Sequence, residues 1–214
     1  MRKKSREMPA PWAADVMRRA PYITLSLRLP DGHPYAVPLS LAADEESSLT
    51  LVETAASPVG QTGAAAAEAP LPPKAAATSA TSDNIPSTWY FHCADEGLKL
   101  SAIESCPDVC LTAVTLCRPT VGPNDGSFTL QYRSATAFAR ATVVTDPAEK
   151  HRALELISRR FLPQHMEAFE AACQRSIHRT TVVRLDLIAP PTGKRKEYAP
   201  DGSELKWGAM PPEP

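Results

Sequence analysis

Ile23-Thr24-Leu25-Ser26-Leu27-Arg28-Leu29-Pro30-Asp31-Gly32-His33-Pro34-Tyr35-Ala36-Val37-Pro38-Leu39-Ser40-Leu41 decides the fold class. Apolar side chains at 23, 25, 27 and 29 alternate with Thr24, Ser26 and Arg28, the period of two that sets one face of a strand on a core and the other in solvent. Pro30-Asp31-Gly32 supplies turn residues, and Tyr35, Val37, Leu39 and Leu41 restart the alternation. The stretch reads as a β-hairpin. Residues 48–52 would prolong the sheet, and Trp89-Tyr90-Phe91-His92 resumes it with strong strand formers. Residues 109–116 add a strand, 128–144 are long enough for a bent one, and 181–187 alternate Val183, Leu185 and Leu187 against Arg184 and Asp186. Six strands at hairpin-like spacing favour an antiparallel meander closing as a small barrel.

Helices fill the gaps. Asp146-Pro147-Ala148-Glu149 offers a capping carboxylate, a proline at the first helical position and an acid three residues after the cap, and Leu154, Ile157 and Phe161 then recur on one face. Leu162-Pro163 breaks that helix, and Met166, Phe169 and Cys173 repeat the helical spacing beyond it. A short helix over about 97–105 turns Leu100 and Ile103 inward and ends before Pro107. The class is therefore α+β and β-dominated: a six-stranded antiparallel barrel with flanking helices.

Composition bounds the rest. A chain of 214 residues, 43% hydrophobic, suits a single domain. A formal net charge of -1 gives no global basic field for nucleic acid or anionic lipid. No apolar run reaches the roughly 18 residues of a membrane span, and the basic amino terminus has no apolar stretch behind it; a cytoplasmic protein is expected. Cys93, Cys106, Cys110, Cys117 and Cys173 are odd in number and never spaced CxxC, which argues against a disulfide framework and a zinc ribbon. No metal site is expected. Proline is in excess, 22 against 9 Gly, and much of it is local: residues 54–87 hold 11 Ala, 5 Pro and 8 Ser or Thr, with no aromatic. That composition cannot offset its ordering entropy, so the segment reads as a disordered insertion in a hairpin loop. A flexible tail is expected from about 199.

Chemistry concentrates at Trp89-Tyr90-Phe91-His92-Cys93-Ala94-Asp95-Glu96-Gly97-Leu98-Lys99-Leu100. A strand delivers His92, a short turn follows, and Lys99 arrives in the first turn of a helix whose free N–H groups face whatever sits there. Two potential cations at a helix N-terminus suit an anion, with a phosphate monoester the natural occupant. The same residues would serve equally as an ordinary strand histidine and a solvated lysine. His33, His151, His165 and His178 are scattered over turns and helices, and Arg179, Arg184 and Lys194-Arg195-Lys196 read as solvated or interface charges.

The turn followed by His33-Pro34-Tyr35-Ala36-Val37-Pro38-Leu39-Ser40, then residues 90–100, then Pro107-Asp108-Val109-Cys110, resembles the FMN-binding split barrels related to pyridoxamine 5'-phosphate oxidase, and among them the nitroimidazole-resistance branch. The resemblance extends to residues 1–7, 132–141 and 192–195. It implies a homodimer with two FMN sites at the subunit interface. His92 and Lys99 match phosphate-binding positions, Pro38, Leu39 and Ser40 lie on the strand lining the isoalloxazine, Phe91 stands beside the phosphate and ribityl chain, and Ser134 falls at a polar flavin contact. The chain also departs from the oxidase: Val37 stands nearest a phosphate-binding arginine, and Gly97-Leu98-Lys99 replaces a Ser-Arg-Lys run. Since the carboxy-terminal motif that recognises pyridoxal phosphate is not evident, pyridoxamine phosphate is not the expected substrate. The implied activity is an FMN-dependent oxidoreductase passing electrons from a reduced nicotinamide to a small acceptor such as a nitroaromatic; no catalytic side chain is assigned. Two alternatives stay open: haem, through His92 or His33, or a deazaflavin in the same fold, and a non-catalytic FMN-binding adaptor.

Overall fold

Alternation builds the sheet that the sequence foreshadows. The computed structural model describes residues 4–49 and 85–205. Its strands are β1 Glu7–Met8, β2 Ile23–Arg28, β3 Pro34–Leu39, β4 Ala42–Ala43, β5 Thr88–Ala94, β6 Asp108–Val121, β7 Phe128–Val143, β8 Thr180–Leu187 and β9 Thr192–Lys196. The helices are α1 Ala10–Arg19, α2 Leu98–Ser105, α3 Pro147–Phe161 and α4 Phe169–Ser176.

The order is β3-β2-β6-β7-β8-β5-β4 and the pairings are antiparallel. Its two ends, β3 and β4, are one stretch of chain interrupted only by Ser40 and Leu41, so the sheet closes on itself as a split barrel. A simple meander does not form. β5 pairs with β4 and β8 rather than β6, and the chain reaches β6 through α2. β7 serves two neighbours along one edge: residues 132–136 pair with β9 and 139–143 with β8. The six expected strands are present; β1, β4 and β9 are additional.

Inward-facing residues fill the barrel. Ile23, Leu25, Trp89, Phe91, Leu111 and Leu185 are fully buried together, and Ala13, Val16 and Met17 of α1 join the same core. The helix α1 lay outside the sequence expectation. On the opposite side α3 packs Ala153 and Ile157 against Tyr90, Val144 and Val182. Its start is as expected, with the Asp146 carboxylate accepting the Glu149 N–H at 2.8 Å.

Three boundaries differ from the sequence reading. Residues 85–87 of the expected insertion are packed: Pro86 is fully buried and the Leu49 N–H donates to the Ile85 carbonyl at 3.0 Å; the rest of the expected insertion, 54–84, lies outside the described residues. Ser48 and Leu49 make no ladder, and 50–52 lie outside the described residues. Within the expected tail, 199–205 form a turn held by Ala199 N–H to Ser203 O at 2.8 Å and by Arg6 to Glu204 at 2.6 Å. The charged run is also corrected: pairing with β1 and β7 buries Arg195 and Lys196, and Glu197 takes a two-pronged bond from Arg133. Among the described residues no helix is long and apolar enough to cross a membrane.

Candidate functional site at the split between β3 and β5

The barrel changes partner at Ser40. β3 is paired with β2 up to Leu39, and β4 pairs with β5 as Ala42 opposite Tyr90. Continuing that second register by two residues aligns Ser40 with His92, where the ladder has ended and the strands part. Ser40 and His92 are both exposed. Immediately after β5 the chain turns at Gly97, whose φ of +131° suits only glycine without strain, and enters α2.

That helix begins without a side-chain cap. The first in-helix bonds come from Leu100 and Ser101 to the Gly97 carbonyl, so the N–H groups of Leu98 and Lys99 are open to an acceptor. The Lys99 side chain is half-buried, and among the described residues it has no hydrogen bond or ion pair. Its charge reaches the Cys93 thiol, whose pKa is raised by burial and partly brought back by Lys99. Solvent reaches the His92 ring, yet the protein packed around it pushes its pKa below the usual imidazole value by desolvation. The turn also carries Asp95 and Glu96, both exposed.

Alternation divides the expected site residues. Ser40 and His92 are exposed on the strands that flank the split, and Lys99 stands in the first turn of α2, with its charge felt at Cys93. Pro38 is exposed on the outer face of β3, one strand position from Ser40, while Leu39 between them packs on the barrel core. Phe91 faces the other way: the pleat that turns His92 outward turns the Phe91 side chain into the core, where it is fully buried. Val37 likewise packs on the core. Ser134 stands farther away. The registers Ile23 opposite Leu39 and Ala113, and Val114 opposite Ser134, put Ser134 three strands from Ser40, about 14 Å, with its hydroxyl on the Lys194 carbonyl at 3.4 Å. His33 is at the far hairpin tip beside Asp31 at 3.2 Å.

One residue of this site escaped the sequence reading. Arg160, on the last turn of α3, reaches across to the Leu41 carbonyl and to the Met17 and Ala20 carbonyls at 3.1 and 2.7 Å. It ties α3 to the C-terminus of α1 and to the corner beside Ser40. Only its place after Arg159 in the helix could have marked it, and an arginine pair at a helix end is ordinary.

A family model described as pyridoxamine 5'-phosphate oxidase matches residues 73–190, more than half of the chain. The chain belongs to the pyridoxamine 5'-phosphate oxidase family. The match runs from β5 through β8, and so contains His92, Lys99 and Ser134. Solved structures share the fold of this family member. A putative 5-nitroimidazole antibiotic resistance protein from Bacteroides thetaiotaomicron aligns at TM-score 0.54 and 16% identity, over 84% of this chain and 80% of its own. The flavocytochrome Anf3 from Azotobacter vinelandii aligns at 0.57 and 17%, over 95% and 80%. The FAD and heme binding protein from Mycobacterium smegmatis aligns at 0.57 and 18%, over 94% and 85%. No curated protein sequence matches significantly.

Proposed function

We propose that this chain binds FMN at the split between β3 and β5 and acts as a flavin-dependent oxidoreductase, reducing a small acceptor such as a nitroaromatic with electrons from a reduced nicotinamide. The uncapped N-terminus of α2, with Lys99 unpaired among the described residues and the helix following directly on the strand that carries exposed His92, is the observation that carries the reading. The donor set fits a phosphate monoester: two backbone N–H groups, an ammonium, a hydroxyl and an imidazole, with the helix dipole behind them. Bound there, FMN would supply the redox chemistry itself. The chain's own share is to hold the phosphate at Lys99 and α2 and to carry the remainder of the ligand along the outer face past Ser40 and Pro38.

A homodimer belongs to the same proposal. Phe138 of β7 and Ile188 just after β8, 56% and 63% exposed, line a shallow groove with Ser26, Arg28 and Cys110, and Val114, 44% exposed, lies farther along β6. Large apolar groups on an uncovered sheet face suit burial against a second copy.

Haem is the second reading. A desolvated His92 kept neutral is the form that ligates iron, and two of the fold neighbours are described as a flavocytochrome and as binding FAD and haem. The absorbance spectrum of the purified protein decides between them. Two broad visible bands support FMN, a single intense Soret band supports haem, and a protein that takes up neither when titrated with both contradicts both readings. Light scattering should return twice the chain mass; a monomer that retains FMN would remove the shared-interface model.

A further inference from the structure

A cavity of about 330 Å3 opens where the C-terminal turns of α1 and α3 meet β4. That volume falls within the roughly 300–1,000 Å3 of small-molecule pockets. Part of its lining is apolar, made by Ala42 and Ala43 of β4 and Leu156 of α3. The two alanines end at Cβ, which leaves room for a guest. The rest of the lining is charged throughout: Arg18, Glu45, Arg159 and Arg160.

These charges do not cancel. Arg18 makes a two-pronged bond to Glu45 at 2.8 and 2.9 Å, and Arg159 holds Glu155 at 2.6 and 3.0 Å. Arg160 bonds no carboxylate among the described residues; its three bonds go to the carbonyls of Leu41, Met17 and Ala20. Carbonyl oxygens carry only partial charge, so the formal charge of this guanidinium stays unbalanced, and burial pushes its pKa below the usual arginine value. The three bonds also leave two of the five N–H groups of a guanidinium uncommitted, Nε–H and one on Nη1. One unbalanced cation beside an apolar wall suits a guest with a single negative charge and a hydrocarbon body, because a second charge would be held away from water without a partner.

We propose that this cavity binds a small organic monocarboxylate, with the carboxylate at Arg160 and the hydrocarbon part against Ala42, Ala43 and Leu156. The site is separate from the head of α2 and stands whether or not the chain binds a flavin.

Isothermal titration near neutral pH with benzoate, benzamide and acetate as probes tests the proposal. Benzoate should bind with a dissociation constant of about 1 mM or tighter. Benzamide keeps the shape without the charge and acetate the charge without the ring, and each should bind at least about tenfold more weakly. Ala43→Leu, which fills the cavity, and Arg160→Gln, which removes the cation, should each weaken benzoate by about tenfold or more. Lys99→Ala should leave benzoate binding unchanged, and this variant and the benzamide comparison decide the matter even if a cavity variant fails to fold. No saturable binding up to about 10 mM benzoate, equal affinity for benzamide, or full affinity in folded Ala43→Leu would overturn the proposal. So would benzoate binding that disappears in Lys99→Ala, since the anion would then sit at the head of α2.

Discussion

Replacing Arg160 by methionine should loosen the corner that presents Ser40. The guanidinium donates to three main-chain carbonyls, those of Leu41, Met17 and Ala20, and these residues are at most 1% exposed. A hydrogen bond from a charged group contributes about 1.5–3 kcal/mol. The full sum overstates the loss, because the cavity lined by Arg18, Ala42, Ala43, Glu45, Leu156 and Arg159 opens beside Arg160 and lets water reach some of the freed carbonyls. A loss of about 2–4 kcal/mol is the discounted expectation, including a few tenths from the charge at the C-terminus of α1. For a chain of this size that lowers Tm by roughly 4–16 °C. Differential scanning calorimetry measures it, with Arg160→Lys as the partner variant: a lysine keeps the charge but not the planar fork, so it should fall between. FMN affinity should drop in Arg160→Met as well, since Leu41 adjoins Ser40. A Tm within about 1 °C of wild type would show that those carbonyls are satisfied without Arg160 and that the corner does not depend on it.

Two further outcomes are expected. Desolvation lowers the folded pKa of His92 below the unfolded value of about 6.5; its neutral form is the one the fold favours, so its contribution is whole above about pH 6.5 and is lost as the pH falls through the folded pKa. Urea unfolding of wild type and His92→Gln across pH 7.5 to 5 should therefore show a shallower acid-side loss in the variant, and identical slopes would contradict the placement of His92. Replacing residues 54–83 with a short Gly-Ser link while keeping the packed Pro86 should leave Tm and flavin content unchanged; a fall of several degrees would show that the segment packs on the barrel.

Much of the fold could be read from residue alternation. The β2–β3 hairpin and β8 follow from period-two patterns, and α3 from Asp146, Pro147 and Glu149, because each signal is local. What escaped was short or tertiary. β4 is two residues long, β9 is Thr-Gly-Lys-Arg-Lys with no apolar alternation, and its burial of Arg195 comes from neighbours distant in sequence. The helix α1 hides behind two prolines and a basic end, though Ala13, Val16 and Met17 carry its buried face.

The site was legible in part. The types and spacing of His92 and Lys99 pointed to an anion, and the structure sets His92 outward near the end of β5 and Lys99 in the first turn of α2. Phe91 and Leu39 adjoin His92 and Ser40 along the chain, so their side chains turn the opposite way, onto the barrel core. Arg160 gave no sequence signal, since it matters through main-chain carbonyls distant in sequence.

The most direct test of FMN binding at this split is isothermal titration of wild type and Lys99→Ala with FMN and with riboflavin, which shares the ring and ribityl chain but has no phosphate. Loss of a charge-assisted bond of about 1.5–3 kcal/mol should weaken FMN by roughly ten- to a hundredfold and leave riboflavin nearly unchanged. Equal losses for both ligands, or no loss for either, would mean that Lys99 does not hold the phosphate, and the site at the head of α2 would have to be abandoned.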